Sequence, residues 1–277
     1  MSVLTLTLRN APPQAVDLSP LTPDALAGKN REDIARIELA SGNRKLRVAD
    51  LFAVEGESSD RAFVIRASTD RLMFIGARMR AGTITVEGDC GSYAGMGMQG
   101  GKILIDGHAG AFAGSVMRAG LLEIRGNAGD FAGGALPGDK QGMRGGTIAI
   151  GGNAGERAGD HMRRGMILIR GDAGAFCGAR MLAGTILVLG RVGESPGFGL
   201  KRGTLLLARA PAEIPATFQA SGEHSLLFLR LLEKHFQREG EPFLGFLPLP
   251  LRVRRYCGDQ ATGGKGEILL SLSAVAG

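Results

Sequence analysis

The chain has no tryptophan, two tyrosines and three cysteines among its 277 residues. Cys90, Cys177 and Cys257 are odd in number and far apart, with no Cys-x-x-Cys pair. That excludes a disulfide framework, signals no zinc or iron–sulfur site, and fits a reduced, cytoplasmic setting. No run of about 18 apolar residues occurs, so no transmembrane helix is expected. The opening MSVLTLTLRN lacks a basic stretch followed by an apolar one, so no signal peptide is expected either. The GxSxG elbow, the phosphate-binding P-loop, HExxH and Cys–His signatures are missing. The four histidines, His108, His161, His224 and His235, have no Cys, His or carboxylate partners at metal-ligand spacing. We therefore expect no catalytic residue and no metal ligand in this chain.

Charge is lopsided, with 33 Lys and Arg against 27 Asp and Glu, a formal net charge of +6. Such a balance fits an acidic partner: nucleic acid, an acidic protein or a polyanionic cofactor. Aromatics make up only 5% and are not interleaved with the basic residues. That speaks against a nucleic-acid binder, which needs stacking platforms beside its cations.

What is abundant is glycine, 45 residues without a G-X-Y period. This points to a glycine-punctuated repeat. From Val64 the chain divides into blocks that each end in glycine: Val64–Gly82, Thr83–Gly101, Lys102–Gly120, Leu121–Gly146, Thr147–Gly165, Met166–Gly184 and Thr185–Gly203. Six of the seven are 19 residues long, and the fourth carries seven extra residues, Gly134–Lys140, whose Pro and Gly mark a surface loop. A partial block follows from Thr204.

Each block opens with an alternation such as Ile84-Thr85-Val86 or Ile103-Leu104-Ile105, the period of a strand with one face buried. The second and fourth positions are apolar throughout, Ile65 and Ala67 serving in the first block. Gly-Asp/Asn-Ala-Gly quartets come next (Gly126–Gly129, Gly152–Gly155, Gly171–Gly174), residue types that tolerate a sharp turn. A second apolar group follows, as in Phe112-Ala113, then a glycine, a methionine and the closing glycine. Helical repeats need about 33–47 residues and good helix formers, and glycine every few residues opposes them. A hexapeptide solenoid does not divide 19, and the GGxGxD series of calcium-binding rolls is absent. The pattern predicts an all-β chain: a right-handed parallel β-helix of about seven 19-residue coils.

Stacked coils bring like residues into columns about 4.8 Å apart. Met79, Met98, Met117, Met143, Met162 and Met181 form one column, read as core filling rather than a soft metal site. Open solenoid ends need caps. Residues 1–63 (strand, helix, strand) and 208–277 (helix and basic tail) are expected to supply them around the β-helix at 64–207. Thr22 can cap a helix that starts at Pro23. About Glu223–Arg238 reads as an amphipathic helix with Leu226, Phe228, Leu229, Leu232 and Phe236 on one stripe.

The residue after each methionine is Arg80, Gln99, Arg118, Arg144, Arg163, Leu182 and Lys201. Arg80, Arg118, Arg144, Arg163 and Lys201 would form a ladder of like charge that needs counterions, acidic neighbours or an acidic ligand. They are the candidate site, for an anionic carrier tail or an acidic partner.

The blocks, written G-x-x-M-x-x-G-x-I-x-[IV]-x-G-[DN]-A-G, resemble the glycine-repeat β-helix shared by two proteins: the C-terminal domain of the glutamate synthase large subunit and the C subunit of formylmethanofuran dehydrogenase. The tail Gly258-Asp259-Gln260-Ala261-Thr262-Gly263-Gly264-Lys265-Gly266-Glu267 is similar to that of the second. The resemblance implies a noncatalytic scaffold subunit in one-carbon metabolism. It further implies amidohydrolase-like, formyltransferase and molybdoenzyme-like partner chains, zinc in a partner subunit, and a methanofuran-type carrier with tetrahydromethanopterin. The Arg-, Ala- and Gly-rich composition leans towards the bacterial hydrolytic complex. A glutamate-synthase-type domain bracing an amidotransferase-like enzyme is the alternative.

Overall fold

The computed structural model describes residues 3–57 and 61–272. Residues 1–2, 58–60 and 273–277, which fall within the expected end segments, lie outside the described residues. The chain is mostly β. Its N-terminal part runs β1 (Leu4–Leu8), β2 (Val16–Asp17), α1 (Pro23–Leu26), α2 (Arg31–Ala35), β3 (Glu38–Ser41), β4 (Arg44–Arg47), α3 (Val48–Leu51) and β5 (Phe52–Glu55). The repeats contribute β6 (Ala62–Ser68), β7 (Leu72–Met73), β8 (Thr83–Gly88), β9 (Lys102–Ile105) and β10 (Leu121–Ile124). They continue with β11 (Arg144–Ile150), β12 (Arg164–Ile169), β13 (Thr185–Val188) and β14 (Arg202–Leu207). Then come β15 (Gln219–His224), α4 (Leu227–Glu239), β16 (Val253–Gly258) and β17 (Lys265–Ser271).

One large mixed sheet of 13 strands results, ordered β15-β16-β17-β14-β13-β12-β11-β10-β9-β8-β6-β1-β5, and it does not close into a barrel. Its middle is parallel and in step with the repeat: Ile84 pairs with Ile103, Leu122 with Ile148, and Ile167 with Ile186. A second parallel register follows the quartets, through Cys90, Ala109, Ala128, Ala154, Ala173 and Val192. The small side chains of that column are buried. The six methionines are fully buried, and Leu200 takes their place in the last block.

The first block sits two residues earlier than its sequence suggests. Phe63 and Ile65, rather than Ile65 and Ala67, pair with Ile84 and Val86. A bulge between Arg66 and Ser68, where Ala67 adopts φ +54°, takes up one of the two residues, and the other is taken up before Phe74, whose N–H donates to Ser92 in the 19-residue register.

The turn after each strand is held by side chains as well as by glycine. Asp89 Oδ1 accepts from the His108 N–H at 2.7 Å, His108 Nδ1 from Asn127 at 2.9 Å, and Asn127 Oδ1 from Asn153 at 2.8 Å. Asn153 Oδ1 accepts from Asp172 at 2.8 Å and Asp172 Oδ1 from Arg191 at 2.6 Å. One side chain per repeat thus satisfies the backbone N–H of its equivalent in the next, which is why the Asn/Asp position recurs. At the closing corner Gly120 has φ +95°, and a Cβ there would lie 2.6 Å from the Gly101 carbonyl oxygen. No side chain fits that approach.

In the later repeats the third strand position is also apolar and buried: Ala149, Leu168, Leu187 and Leu206. Strands covered on both faces read as continuous apolar runs, as Ile167-Leu168-Ile169 does. The outer cover is α4 with the turn Phe243–Phe246, whose Leu229, Phe236, Phe243 and Phe246 join those residues in a second core. Of the expected stripe, Leu229 and Phe236 are buried and Leu226 and Leu232 pack beside them, but Phe228 faces outward and is exposed, and the helix begins only at Leu227. Glu223 instead belongs to β15, opposite Arg254, with its carboxylate held by Arg252 and Arg254 at 2.9 and 3.2 Å. At the other end Thr22 caps α1 as expected, accepting from the Ala25 N–H with Pro23 in the first turn.

Candidate functional site: a basic ladder and its clefts

The ladder is built by the backbone. Gln99, Arg118, Arg144 and Arg163 each donate their N–H to the carbonyl of the methionine one repeat back, Met79, Met98, Met117 and Met143, at 2.7–2.8 Å. Lys201 does the same to Met181 at 2.9 Å. Successive side chains along an extended strand point to opposite sides. A buried methionine therefore fixes an outward neighbour, and Arg80, Arg118, Arg144, Arg163 and Lys201 are all exposed. Gln99 and Leu182 are the uncharged rungs. The ladder starts beside α1, where the Asp24 carboxylate accepts from the Arg80 N–H at 3.1 Å. Among the described residues, none of the five cations has a carboxylate partner within ion-pair distance. Arg118, Arg144 and Arg163 occupy three consecutive repeats, and like charges about 5 Å apart repel by roughly 1 kcal/mol even in water.

The seven-residue insertion folds against this ladder and leaves a cleft on each side. One cleft, of about 350 Å³, is lined by Arg78, Gln99, Arg118 and Arg144 together with Leu136 and Asp139 of the insertion. The other, of about 470 Å³, takes Lys140 from the insertion and Lys201 from the ladder. It also takes His161 and Arg180, which the ladder pattern in the sequence does not include. Arg78, His161 and Arg180 occupy the position before the methionine, in a left-handed backbone conformation at φ +60°, +54° and +53°. Their signal in the sequence is a basic residue one step ahead of the methionine.

Half-buried aromatics form a second surface column. Phe74, Tyr93, Phe112 and Phe131 stack with centroids 4.7, 5.2 and 4.9 Å apart and rings within 11° of parallel. Arg157 continues the column, its guanidinium 4.6 Å from the Phe176 ring centroid. In the sequence these residues show only as an apolar group.

The histidines are engaged locally. His108 holds the turn column, and His161 Nδ1 lies 3.0 Å from Asp160 Oδ2. His224 Nε2 meets the Ser221 carbonyl at 2.8 Å, and His235 packs on Phe236 and Phe243. Burial pushes the Cys90 and Cys177 thiols up to about 12. Among the described residues no three His, Cys, Asp or Glu side chains gather as a metal site. No helix among them is long and apolar enough to cross a membrane.

No family model matches the chain. Individual proteins do. The C subunit of the formyltransferase/hydrolase complex of Methylorubrum extorquens is 42% identical over 87 residues, 31% of this chain and 32% of that one. The C subunit of tungsten-containing formylmethanofuran dehydrogenase 2 from Methanothermobacter marburgensis is 35% identical over 97 residues, 34% and 36% of the two chains. These alignments span about a third of each curated relative. The structural match is complete. A chain in the crystal structure of the Methylorubrum extorquens formyltransferase/hydrolase complex with methylofuran superposes with a TM-score of 0.90 at 40% identity, over 97% of this chain and 100% of that chain. This chain belongs to the C-subunit family of formylmethanofuran dehydrogenase and the formyltransferase/hydrolase complex. Within that family, the glycine repeat and the tail around Asp259 are the parts legible in sequence. The tail is structural: Asp259 accepts from the Gly199 and Ala261 N–H groups at 3.0 and 2.9 Å, joining the last repeat to β17.

Proposed function

We propose that this chain is a noncatalytic structural subunit of a formyltransferase/hydrolase-type complex in cytoplasmic one-carbon metabolism. Its rod is the brace on which amidohydrolase-like, formyltransferase and molybdoenzyme-like chains assemble. In this reading zinc sits in a partner subunit, and a methanofuran-type carrier and tetrahydromethanopterin are handled by the complex. The observation that carries the reading is the full-length likeness to a chain solved within such a complex, with methylofuran bound to that complex. The full-length likeness to a chain of a formyltransferase/hydrolase complex favours the hydrolytic form over a redox dehydrogenase.

We read the repeats as a right-handed parallel β-helix at 64–207, capped by 1–63 and 208–277. In-step parallel contact at three points of each repeat from the second block on supports the coil: strand, alanine column and methionine column. The antiparallel strands β5 and β16 beyond either end of the parallel ladder support the caps. Exposed Leu227 and Leu231 on one side of α4, 70% and 58% accessible, support an outer face covered by another subunit of the complex.

The charge ladder then docks an acidic partner subunit or retains the carboxylate-bearing tail of the carrier, and the docking role is favoured. Purification of the tagged chain from its native host should bring down the other subunits. Elution alone, or with an amidotransferase, would overturn the assignment. Changing Arg118, Arg144 and Arg163 together to Gln separates the two ladder roles. A complex that falls apart marks an interface, whereas an intact complex with weakened, salt-sensitive carrier retention marks a tether.

A further inference from the structure

The cleft on the C-terminal side of the insertion is put together from distant segments around one buried carboxylate. Asp160 is 3% exposed. Its Oδ1 accepts from Arg180 Nε at 3.0 Å and its Oδ2 from Arg180 Nη2 at 2.9 Å, a two-point grip. The same Oδ2 lies 3.0 Å from His161 Nδ1, so one buried group fixes both side chains at the cleft wall. Two of the guanidinium donors are occupied by Asp160, and the rest remain for a ligand in the cleft that Arg180 lines.

Lys140 and Lys201 stand in the same lining, and among the described residues neither has a carboxylate partner. The second carboxylate of the cleft, Asp259, is answered by the Gly199 and Ala261 N–H groups. Those neutral donors leave the Asp259 charge in place, so the two lysines give the cleft one net positive charge, with Arg180 adding donors on top of it. The remaining wall is mostly apolar, with Leu182 and a Phe198 that is 54% exposed beside Thr262, whose hydroxyl donates to the Leu200 carbonyl. A volume of about 470 Å³ lies in the range of small-molecule sites.

We propose that this cleft is a binding site for a small dicarboxylate with an apolar or aromatic body. One carboxylate sits on the Asp160-anchored Arg180, the second between Lys140 and Lys201, and the body lies against Phe198. A planar guanidinium fork held from behind selects carboxylate geometry, while the lysines supply charge without geometry.

The test uses the full chain at low salt with phthalate as probe, followed by ligand-observed NMR and checked against inorganic phosphate. Saturable phthalate binding is expected, weakened about fivefold or more in the Lys140→Gln, Lys201→Gln double variant. Arg180→Lys should weaken phthalate again, with the fold verified by its melting temperature. Arg36→Gln with Lys45→Gln, exposed cations outside both clefts and the ladder, should leave binding unchanged. This control separates the cleft from general attraction to the chain's positive charge. No saturable phthalate binding, insensitivity to the lysine variant, loss in the control variant, or phosphate binding as tightly as phthalate would each overturn the assignment.

Discussion

Asn127 and Asn153 occupy equivalent corners of neighbouring repeats, and the side chain of the first accepts the backbone N–H of the second at 2.8 Å. Asn153 passes the same bond on to Asp172. Replacing Asn153 with Ala strands the Asp172 N–H at an exposed corner, for an expected loss of about 0.5–1 kcal/mol. Thermal unfolding should show a melting point a few degrees lower, and Asn153→Asp, which keeps an acceptor, should recover most of it. Equal loss in both variants would assign the effect to something other than this bond.

The strand columns allow a sharper test. Ile103 and Ile167 are fully buried between repeats. Ile103→Asp or Ile167→Asp should unfold the chain, because a buried charge without a partner costs several kcal/mol and the neighbouring repeats lose their shared surface. Circular dichroism and a soluble-yield assay would read this directly. A soluble variant with an unchanged melting point would contradict the inward placement.

Two glycines separate backbone strain from crowding. Gly120 and Gly138 both have positive φ, but a Cβ at Gly138 meets nothing within 4 Å. Gly138→Ala should cost only the left-handed strain, about 1–2 kcal/mol. Gly120→Ala adds a clash with the Gly101 carbonyl and should be the more destabilised by urea titration. Equal losses would mean that the corner yields.

Cysteine chemistry gives a pH dependence. With Cys90 and Cys177 pushed up to about 12 by burial, the folded chain keeps both protons where the unfolded chain has lost them. The unfolded state binds fewer protons between about pH 9 and 12, so stability falls as pH rises through that window and is unaffected below it. At pH 8 a thiol reagent should label Cys257, which is partly exposed, and reach the other two only after denaturation. Fast labelling of Cys177 in the native chain would contradict its burial.

The repeat is legible because every block restates the same demands: alternation at Ile103 and Ile105, a turn at Gly126–Gly129, a methionine, a closing glycine. What stays hidden occurs once, or departs from residue preference. The bulge at Ala67 has no side-chain signature, so alternation alone puts the first block out of register. Phe74, Tyr93, Phe112 and Phe131 adopt φ between +58° and +68°, a region their types rarely enter. Only the corner imposed by the neighbouring repeats explains their outward stack. In the C-terminal part, the strand pairing of β15 with β16 overrides the helical period at Glu223. The cations of the ladder are all visible in sequence. Arg180 shows there only as a basic residue before Met181, and its pairing with Asp160 does not show at all, because 20 positions separate the two along the chain.

The insertion shows how a repeat closes. In the third block the Gly114 carbonyl accepts from the Met117 N–H, three positions on, whereas in the fourth Gly133 accepts from Met143, ten positions on. The same junction is made across either span, so the array senses which groups meet there and not how much chain lies between. The exposed residues 137–140 are in effect a port, where a peptide tag or a fluorophore can be carried at little thermodynamic penalty, since doubling a loop adds only about 0.6 kcal/mol. Because Leu136 and Asp139 wall one cleft and Lys140 the other, edits at this port would retune both basic clefts while leaving the stack beneath them in register.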